Sequence, residues 1–507
     1  MKKSIILFGA LTSKPYSFKA RSWELKSIET IDLFDSLGSN IRVDIRGSDI
    51  LRVLPLNNEY VNEEWISDKA RFAYDGLKRD RFINPMIKTN GVFIQSSWKE
   101  ALSFVEKNIN QEKYNNIVIN TGNFTDLQHI TALNLFSKNI YNKFNISINA
   151  NENINADFQE FYTLNSDLLN FKGKKVFLLI GTNLRLENPI LNIKLKKLSN
   201  NNNVLIGYIG SRYDFNINFV HLGNNLSVLT KILEGKHYFS TLIYNFLKTN
   251  LKGEKIQNKF KNPISLIFGN EIIQTNKHIN LINTIKQCNF NNITFDFNVL
   301  ELYSGKINAL ELGFFNNIKF NKNTKKVFYL LNSENLFNKG DEDFVIFQGH
   351  HNYKNRLDFD VILPSVTWTE KSALYLNTFG FIQKTQFIQL PPTNCRNDWK
   401  ITSILLNVLT KNTEINQESI SYLNNLHKQL NNLSPNLMNL ISIYKIRPRL
   451  SLNIIYKDYL KFNKINNLMP FKSFINNYYK ISSVEKVSKI MNKCTEAFNK
   501  KKSNFLK

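Results

Sequence analysis

The chain has 507 residues, 42% of them hydrophobic, which is enough apolar material for a large core and two or three domains. A formal net charge of +25 is typical of chains that bind nucleic acid or an anionic membrane. The lysines are scattered, however, and no aromatic–basic motif of the single-strand-binding kind is present. We therefore predict no nucleic-acid partner, and the lack of any apolar run of about 18 residues predicts no transmembrane span.

Residues 1–85 are predicted to form a small β-rich unit. Ile41–Ile45 alternates between apolar and polar side chains, and Ile50–Leu54 follows it after the turn residues Gly47–Asp49. Two strands joined by such a turn predict a β-hairpin. Ile31–Phe34 also has the composition of a strand.

The stretch Asn58–Arg81 combines charges of alternating sign with aromatic and apolar side chains at three- and four-residue steps. This spacing is typical of a short amphipathic helix, and Gly76 marks a break in it. Charges that alternate in sign can pair along an exposed face. By its physics alone, the stretch is predicted to be an exposed helix and turn.

From about residue 86 to residue 440, short apolar runs alternate with helical patterns. Ser96, Ser97 and Glu100 begin one helix with the residues of an N-cap and first turn. The apolar runs are Gly91–Gln95, Asn116–Ile119, Lys175–Asn183, Val204–Gly210, Pro263–Gly269, Lys326–Asn332, Phe344–His351 and Asp360–Pro364. This alternation predicts an α/β region built on doubly wound, mainly parallel sheets. Residues 441–507 are basic and are predicted to form a helical tail or docking segment.

The sequence contains no complete set of catalytic residues. It has neither the GxGxxG dinucleotide fingerprint nor the GxxxxGK[ST] phosphate loop. The three cysteines, Cys288, Cys395 and Cys494, are far apart in the sequence. They form no CxxC pair, so neither a zinc site nor an iron–sulfur cluster motif is predicted.

Three histidines follow predicted strands, namely His221, His350 and His351. A single histidine is usually structural, and two adjacent imidazoles need an unusual loop to bind one ion. The polar loop Gly181–Asn183 ends the clearest strand, at the edge where such sheets bind ligands, but we interpret it as a strand cap and helix start. We therefore predict no catalytic, no cofactor-binding and no metal-binding residues.

Several long runs resemble one known family. Gly9–Tyr16 reads GALTSKPY, Asp35–Ile41 reads DSLGSNI, Asp360–Pro364 reads DVILP and Thr369–Ser372 reads TEKS. Together with Asn58–Arg81, these runs resemble the large iron–sulfur subunit of respiratory complex I, NADH:ubiquinone oxidoreductase, over most of the chain. The resemblance implies a molybdopterin oxidoreductase-like α/β fold. It also implies a small N-terminal unit similar to the domain that holds a 4Fe-4S cluster in molybdopterin enzymes.

The chain departs from the family where cofactors are concerned. The family has Cys-Pro-Val before GALT, and this chain has Ile6, Leu7 and Phe8 there. A Glu and an Arg of the family are Phe379 and Phe381 here. The resemblance therefore implies that this chain itself holds no cofactor. The 4Fe-4S and 2Fe-2S clusters are expected on a partner chain that carries the N-terminal half of a split subunit. The alternative is a truncated or degenerate copy of the subunit.

The resemblance implies a subunit of mitochondrial complex I, which transfers electrons from NADH to ubiquinone and pumps protons. This chain would be a scaffold without catalytic residues, packed against other peripheral-arm subunits, including the NADH-oxidising flavoprotein module. It would be a peripheral subunit on the matrix side of the inner membrane. Because Met1–Leu11 is not interpreted as a signal peptide, we expect the chain to be encoded and made inside the organelle. The alternative is an active molybdopterin-dependent oxidoreductase.

Overall fold

The computed structural model describes most of the chain. The described residues are 13–111, 114–148, 156, 158–165, 168, 170–201, 204–250, 263–273, 281–282, 295–316, 320, 324–333, 339–351, 358–410, 419–435, 471, 475 and 477–505. The predictions made for Ile6–Phe8, for Cys288 and for residues 441–470 lie outside these ranges.

Strands and helices alternate along much of the described part. In chain order the strands are β1 (Lys26–Ile31), β2 (Asn40–Arg46), β3 (Asp49–Pro55), β4 (Met86–Thr89), β5 (Val92–Gln95), β6 (Asn116–Thr121), β7 (Asn145–Ile148), β8 (Val176–Ile180), β9 (Leu205–Ile209), β10 (Val220–Gly223), β11 (Ile264–Phe268), β12 (Phe295–Val299), β13 (Lys326–Leu331), β14 (Phe344–Gly349), β15 (Val361–Pro364), β16 (Leu374–Leu376) and β17 (Ile382–Lys384). The helices are α1 (Asp68–Phe72), α2 (Trp98–Gln111), α3 (Leu127–Ile140), α4 (Leu184–Glu187), α5 (Pro189–Asn200), α6 (Ser227–Leu233), α7 (Tyr238–Asn250), α8 (Asn270–Ile273), α9 (Ser304–Glu311), α10 (Asp398–Thr410), α11 (Ser419–Leu433), α12 (Ser483–Val487) and α13 (Lys489–Phe505).

Seven strands form the larger sheet, in the order β5-β4-β15-β14-β13-β6-β7. The strands from β15 to β7 are parallel, and the hairpin β4–β5 extends the β15 edge in the antiparallel sense. Tyr329 of β13 meets Phe136 of α3 and Thr402 of α10. Helices α3 and α10 therefore cover the same face of this sheet.

Five parallel strands form the second sheet, in the order β10-β9-β8-β11-β12. Its central strand β8 is buried along its whole length, as expected for a parallel strand that is covered on both faces. The chain passes from β8 to β9 on one side and later to β11 on the other. The reversal leaves a crevice at the carboxyl ends of β8 and β11, where open α/β sheets bind ligands.

These two sheets confirm the predicted α/β fold with doubly wound parallel sheets. The predicted hairpin is the antiparallel pair β2–β3, which joins β1 in a three-stranded sheet. Helix α2 begins as predicted, since Ser97 and Glu100 each accept the other's backbone N–H. The strand predicted at Ile31–Phe34 lies earlier, at Lys26–Ile31, because the chain turns after Asp32, whose side chain accepts the Phe34 N–H at 3.1 Å.

The C-terminal helices α12 and α13 pack on the N-terminal unit. Val484 and Met491 are fully buried in a core that includes Val43 and Leu77. Asp75 caps α13 by accepting the Lys489 N–H at 3.0 Å. Within the described part of the chain, no helix has the length and apolar composition needed to cross a membrane.

The stretch Asn58–Arg81 is more buried than its charge pattern predicts. Its helical part is short, since α1 is followed by a 3₁₀ turn at residues 73–78 that contains Gly76. A Cβ atom on Gly76 would collide with the Val484 carbonyl oxygen, so Gly76 is a contact point and does not break the helix. Lys69 is only 3% exposed. The predicted exposed face is therefore only partly present. Glu64, Asp68 and Lys78 are exposed, whereas helix α12 covers Lys69, which pairs with Glu485 at 3.4 Å.

Candidate functional site between the two sheets

The carboxyl ends of the two parallel sheets face each other across one crevice. The loop after β6 and the start of α9 are in contact, since the Gly305 N–H donates to the Asn123 carbonyl at 3.1 Å. A Cβ atom on Gly305 would overlap the carbonyl oxygens of Gly122 and Asn123. Only glycine allows so close a backbone approach. The ends of β6 and β12 are thus held against each other.

Aromatic rings fill this crevice. The Phe124 ring lies 6.3 Å from Phe34, 6.1 Å from Tyr303 and 6.0 Å from His350, measured between centroids. Phe34 also packs edge-on against Trp368 at 6.2 Å. All five rings are buried, and such edge-to-face contacts add to the free energy gained by burial. The side chains of the protein therefore occupy the space between the two sheets.

A buried carboxyl lies at the reversal point of the five-stranded sheet. Glu187 accepts hydrogen bonds from the Thr182 hydroxyl at 3.1 Å, the Asn183 N–H at 2.8 Å and the Asn270 N–H at 3.2 Å. Burial raises the pKa of Glu187 to about 7, although these hydrogen bonds act in the opposite direction. The loop Gly181–Asn183, interpreted from sequence as a strand cap and helix start, also binds this carboxyl.

Several buried polar atoms around Glu187 have no hydrogen-bond partner among the described residues. They are Asn183 Oδ1, Asn188 Nδ2, Asn270 Nδ2 and Glu271 Oε2. Burial also raises the pKa of Glu271, which accepts the Tyr213 hydroxyl at 2.6 Å. Within the described ranges, no lysine or arginine forms an ion pair with Glu187 or Glu271. The polar groups around Glu187 can therefore hydrogen-bond water or a small neutral group, and the two carboxyls disfavour a bound phosphate.

The pKa of Glu187 makes stability depend on pH. Its folded-state pKa lies above the ordinary value, so the protonated form is favoured by folding, and the stabilisation is lost as pH rises through about 7. We expect Glu187→Gln to flatten the fall in unfolding free energy between pH 4 and pH 7, as measured by denaturant titration at several pH values. The exposed Glu64→Gln variant is the control and should keep the wild-type slope. An unchanged slope in Glu187→Gln would contradict the assignment.

Lys371 forms a buried ion triad at the carboxyl edge of the seven-stranded sheet. Its ammonium group lies 2.6 Å from Asp126 Oδ2 and 2.6 Å from Asp398 Oδ2. All three side chains are at least nine-tenths buried. Burial by itself raises the pKa of Asp398, but Lys371 and its hydrogen bond outweigh that effect and hold the pKa below the ordinary value. Asp398 is therefore ionised at neutral pH and is paired with the Lys371 ammonium.

Hydrogen bonds extend the triad into the sheet. Gln348 of β14 donates to Asp398 Oδ1 at 3.1 Å and accepts the Tyr329 hydroxyl. Thr402 joins the Tyr329 hydroxyl at 3.0 Å and His129 Nε2 at 3.0 Å. Burial lowers the pKa of His129. The network thus connects β13 and β14 to helices α3 and α10, and its charged members already have partners.

A second buried ion pair connects the Asn58–Arg81 stretch to the same loop. Arg81 binds both oxygens of Glu370, at 2.8 Å and 2.9 Å, and its Nε donates to the His350 carbonyl at 3.1 Å. Both side chains are 5% exposed or less. Glu370 also accepts the Thr367 N–H at 2.9 Å. The adjacent residues Glu370 and Lys371 therefore anchor two different parts of the chain.

The three histidines considered as metal ligands, His221, His350 and His351, form hydrogen bonds within the protein. His350 Nδ1 and His351 Nδ1 are 2.5 Å apart, and His351 Nε2 lies 2.9 Å from the Gly76 carbonyl. Because a carbonyl only accepts, His351 carries its proton on Nε2 and accepts the His350 N–H. Burial lowers the pKa of His351 to about 3. His221 Nε2 lies 3.0 Å from the Gly210 carbonyl, and no metal-binding group of three or more His, Cys, Asp or Glu occurs among the described residues.

The remaining residues considered in the sequence analysis, two phenylalanines and two cysteines, do not form one site. Phe379 is buried in the core of the five-stranded sheet, with the Phe381 ring 6.0 Å away. Burial raises the pKa of the Cys395 thiol to about 11 and also raises that of Cys494. Neither thiol is in the thiolate form that binds metals at neutral pH.

Sequence reasoning does not identify the residues that organise this region. Lys371 lies in the run Thr369–Ser372, which resembles the family, but no spacing rule joins it to Asp126 or Asp398. Glu187 follows the loop Gly181–Asn183, and the sequence prediction assigned it no role. One sequence signal could have pointed to these residues, namely a charged side chain next to a fully apolar run. It predicts that the charge is buried and paired, but it does not identify the paired residue.

Comparison with known proteins gives two family matches. Residues 81–408 match the molybdopterin oxidoreductase family. Residues 25–75 match the family described as the NADH-ubiquinone oxidoreductase NDSU1/NuoG-like 4Fe-4S domain.

Whole-chain relatives are also found. The chain is 36% identical to the NADH-ubiquinone oxidoreductase 75 kDa subunit of Reclinomonas americana, over 97% of this chain and 71% of the relative. It is 34% identical to the NADH dehydrogenase [ubiquinone] iron-sulfur protein 1 of Solanum tuberosum, over 97% of this chain and 64% of the relative. A 78 kDa subunit of Candida albicans is 33% identical, over 97% of this chain and 67% of the relative. The chain thus spans about two thirds of the length of these relatives.

The match at residues 25–75 corrects one prediction. We predicted that this chain has no cofactor of its own and that the clusters lie on a partner chain, and the match to a 4Fe-4S domain contradicts this. The matched residues contain neither Cys nor His, whereas such clusters are usually bound by Cys thiolates. The matched region folds as β1–β3 with α1, and its buried polar side chains include Asp32 and Asp35. These side chains do not fit the usual ligand set, so no electron-transfer step is assigned to them.

Proposed function

The chain belongs to the family of the NADH-ubiquinone oxidoreductase 75 kDa subunit, with a molybdopterin oxidoreductase domain, and from this we propose that it is a structural subunit of mitochondrial complex I. The whole assembly would transfer electrons from NADH to ubiquinone and pump protons. This chain would contribute a packed body in the peripheral arm, on the matrix side of the inner membrane. Its partners would be other peripheral-arm subunits, including the NADH-oxidising flavoprotein module.

The closed crevice carries this proposal. Five buried rings centred on Phe124 fill the space between the two sheets. The charged groups at the edge of the larger sheet are engaged with each other, in the Lys371 triad and the Arg81–Glu370 pair. A site that binds and converts a substrate needs accessible polar groups that converge on a cavity. In this chain the charged groups at that edge pair with each other and connect parts of the fold.

A pterin dinucleotide does not fit the residues present. Its pyrophosphate would need cations or several free backbone N–H groups. At the reversal point of the five-stranded sheet, the N–H groups of Asn183 and Asn270 instead donate to the Glu187 carboxyl. Glu271 adds a second carboxyl nearby. This arrangement supports a structural role and opposes the alternative of a working molybdopterin enzyme.

Isolation of the chain in its native assembly tests the proposed function. Metal analysis and a full list of co-purifying subunits would be obtained from the same preparation. We expect the chain to co-purify with NADH-oxidising subunits and without molybdenum. Stoichiometric molybdenum and pterin, in a chain that is free of those subunits, would overturn the proposal in favour of the enzyme.

A further inference from the structure

A pocket opens at the carboxyl end of β15, outside the closed crevice. Its volume is about 310 Å³, and its lining includes Lys371, Phe387, Pro391, Arg396 and Lys400. This volume lies at the lower end of the range for ligand-binding pockets. Neither the ring cluster around Phe124 nor the Glu187 crevice contributes to its lining.

Arg396 is held in place and has no anionic partner among the described residues. Its guanidinium lies 4.5 Å from the centre of the Trp98 ring, and the Trp98 Nε1–H donates to the Asn394 carbonyl at 2.9 Å. Burial lowers the pKa of Arg396, so the group is partly removed from water. Among the described residues, no carboxylate forms an ion pair with Arg396. A stacked, partly desolvated guanidinium of this kind is suited to binding a carboxylate through paired hydrogen bonds.

The remaining charges make the pocket positive. Lys371 is paired with two carboxylates, those of Asp126 and Asp398, and the Glu370 carboxylate is bound by Arg81. The Cys395 thiol stays neutral, since burial raises its pKa to about 11. In the part of the chain that the structure describes, Lys400 has no ion-pair partner either. The pocket therefore has two positive groups that are not compensated from within the described chain.

Exposed apolar side chains lie in the pocket lining and next to it in the sequence. Phe387, in the lining, is 47% exposed, and Leu390, beside the lining residue Pro391, is 81% exposed. An exposed aromatic and a stacked arginine together are typical of the centre of a protein–protein interface. A free small carboxylate inside the pocket would leave Leu390 in water, whereas a peptide segment could cover it.

We propose that this pocket docks an acidic segment of a neighbouring subunit, with a carboxylate placed between Arg396 and Lys400 and an adjoining apolar side chain placed over Phe387 and Leu390. The inference rests on the proposed function, because it requires that the chain works inside an assembly. It adds to that function a defined contact surface and the chemistry of the partner.

Zero-length coupling with a carbodiimide tests this directly in the native assembly. The reagent joins an amine to a carboxylate only where the two are in contact, and mass spectrometry then identifies the linked peptides. We expect Lys400 to be joined to an Asp or Glu of another polypeptide, next to an apolar residue. Lys400→Arg is the matched control, because it keeps the positive charge and the association but removes the amine that forms the bond.

Charge reversal at the anchoring residue gives a second measurement. We expect Arg396→Glu to weaken association of the full chain with its partners about tenfold or more, as the loss of a charge-assisted hydrogen bond does. Arg396→Lys should weaken it less, because one positive charge remains.

Several outcomes would overturn the inference. A Lys400 link only to carboxylates of this chain, or equal acylation of Lys400 in the assembly and in the isolated chain, would show that no partner segment is bound. Protection of Lys400 without a linked peptide would assign the pocket to a small carboxylate molecule. If the chain co-purifies with NADH-oxidising subunits and the link is missing, this inference fails alone. If the chain is absent from that assembly, the proposed function fails too.

Discussion

Replacement of Lys371 by methionine is expected to lower the free energy of unfolding by about 3–5 kcal/mol, because it leaves two buried carboxylates without a counter-charge. Asp126 and Asp398 both lie 2.6 Å from the ammonium group that is lost. Methionine keeps most of the side-chain volume, so the effect is electrostatic more than steric. Denaturant-induced unfolding at neutral pH would measure it. The exposed Lys99→Met variant is the control and should change the unfolding free energy by less than about 0.5 kcal/mol.

The pH dependence of this variant gives an independent check. In the wild type, the pKa of Asp398 is held below its ordinary value, so its stabilising effect is present at neutral pH and is lost as pH falls through that pKa. Without Lys371, the burial that raises the pKa of Asp398 is no longer outweighed, and protonation of Asp398 then removes its uncompensated charge. We therefore expect the stability deficit of Lys371→Met to shrink between pH 7 and pH 5. A deficit that is constant over this range would show that the loss comes from packing.

Replacement of Arg81 by alanine is expected to cost about 3–5 kcal/mol of unfolding free energy as well, since it leaves Glu370 buried and unpaired. Arg81 binds Glu370 through two hydrogen bonds and also donates to the backbone of His350. Its loss would weaken the attachment of the Asn58–Arg81 stretch to the larger sheet, leaving contacts such as the His351–Gly76 hydrogen bond. Limited proteolysis should therefore cleave the variant within this stretch faster than the wild type, and thermal unfolding would report the overall loss.

Arg79 provides the matched control for this experiment. It lies in the same stretch, its side chain is 37% exposed, and it is 4.0 Å from Asp75. Exposed pairs of this kind contribute about 0–1 kcal/mol, so Arg79→Ala should have a small effect. Arg81→Lys should fall between the two, because lysine keeps the charge but cannot form the paired hydrogen bonds. Equal losses for Arg79→Ala and Arg81→Ala would refute the importance assigned to the buried pair.

The Arg81–Glu370 pair and the Lys371 triad matter for the proposed function because they lie next to the pocket. Glu370 and Lys371 are neighbours in sequence, and both also line the pocket at the end of β15. Their partners hold this loop to the Asn58–Arg81 stretch on one side and to helices α3 and α10 on the other. A loop fixed in this way would present Arg396 and Lys400 to a partner subunit in a constant geometry. Such preorganisation lowers the entropy lost on association.

The sequence by itself determined the elements and the fold class. The apolar run Val176–Ile180 is a buried parallel strand, and Ser97 with Glu100 begins a helix, because both patterns depend on local periodicity and local hydrogen bonds. Alternation of such runs with helical patterns was enough to predict parallel, doubly wound sheets. The runs that resemble the complex I subunit also identified the family. The absence of a cofactor on this chain, by contrast, was wrongly predicted from the same sequence.

Only the tertiary structure decided which charges pair and whether the crevice is open. Arg81 meets Glu370 across 289 residues, and Lys371 meets Asp126 across 245 residues. The local charge pattern of Asn58–Arg81 predicted exposed local pairs. Arg79–Asp75 is such a pair, but Lys69 and Arg81 are buried against distant carboxylates. The glycine at position 305 lets two distant loops touch at Gly122 and Asn123. The ring of the next residue, Phe124, lies in the crevice. Local sequence encodes which residues avoid water, but the partner of a buried charge depends on distances between residues that only the folded chain brings together.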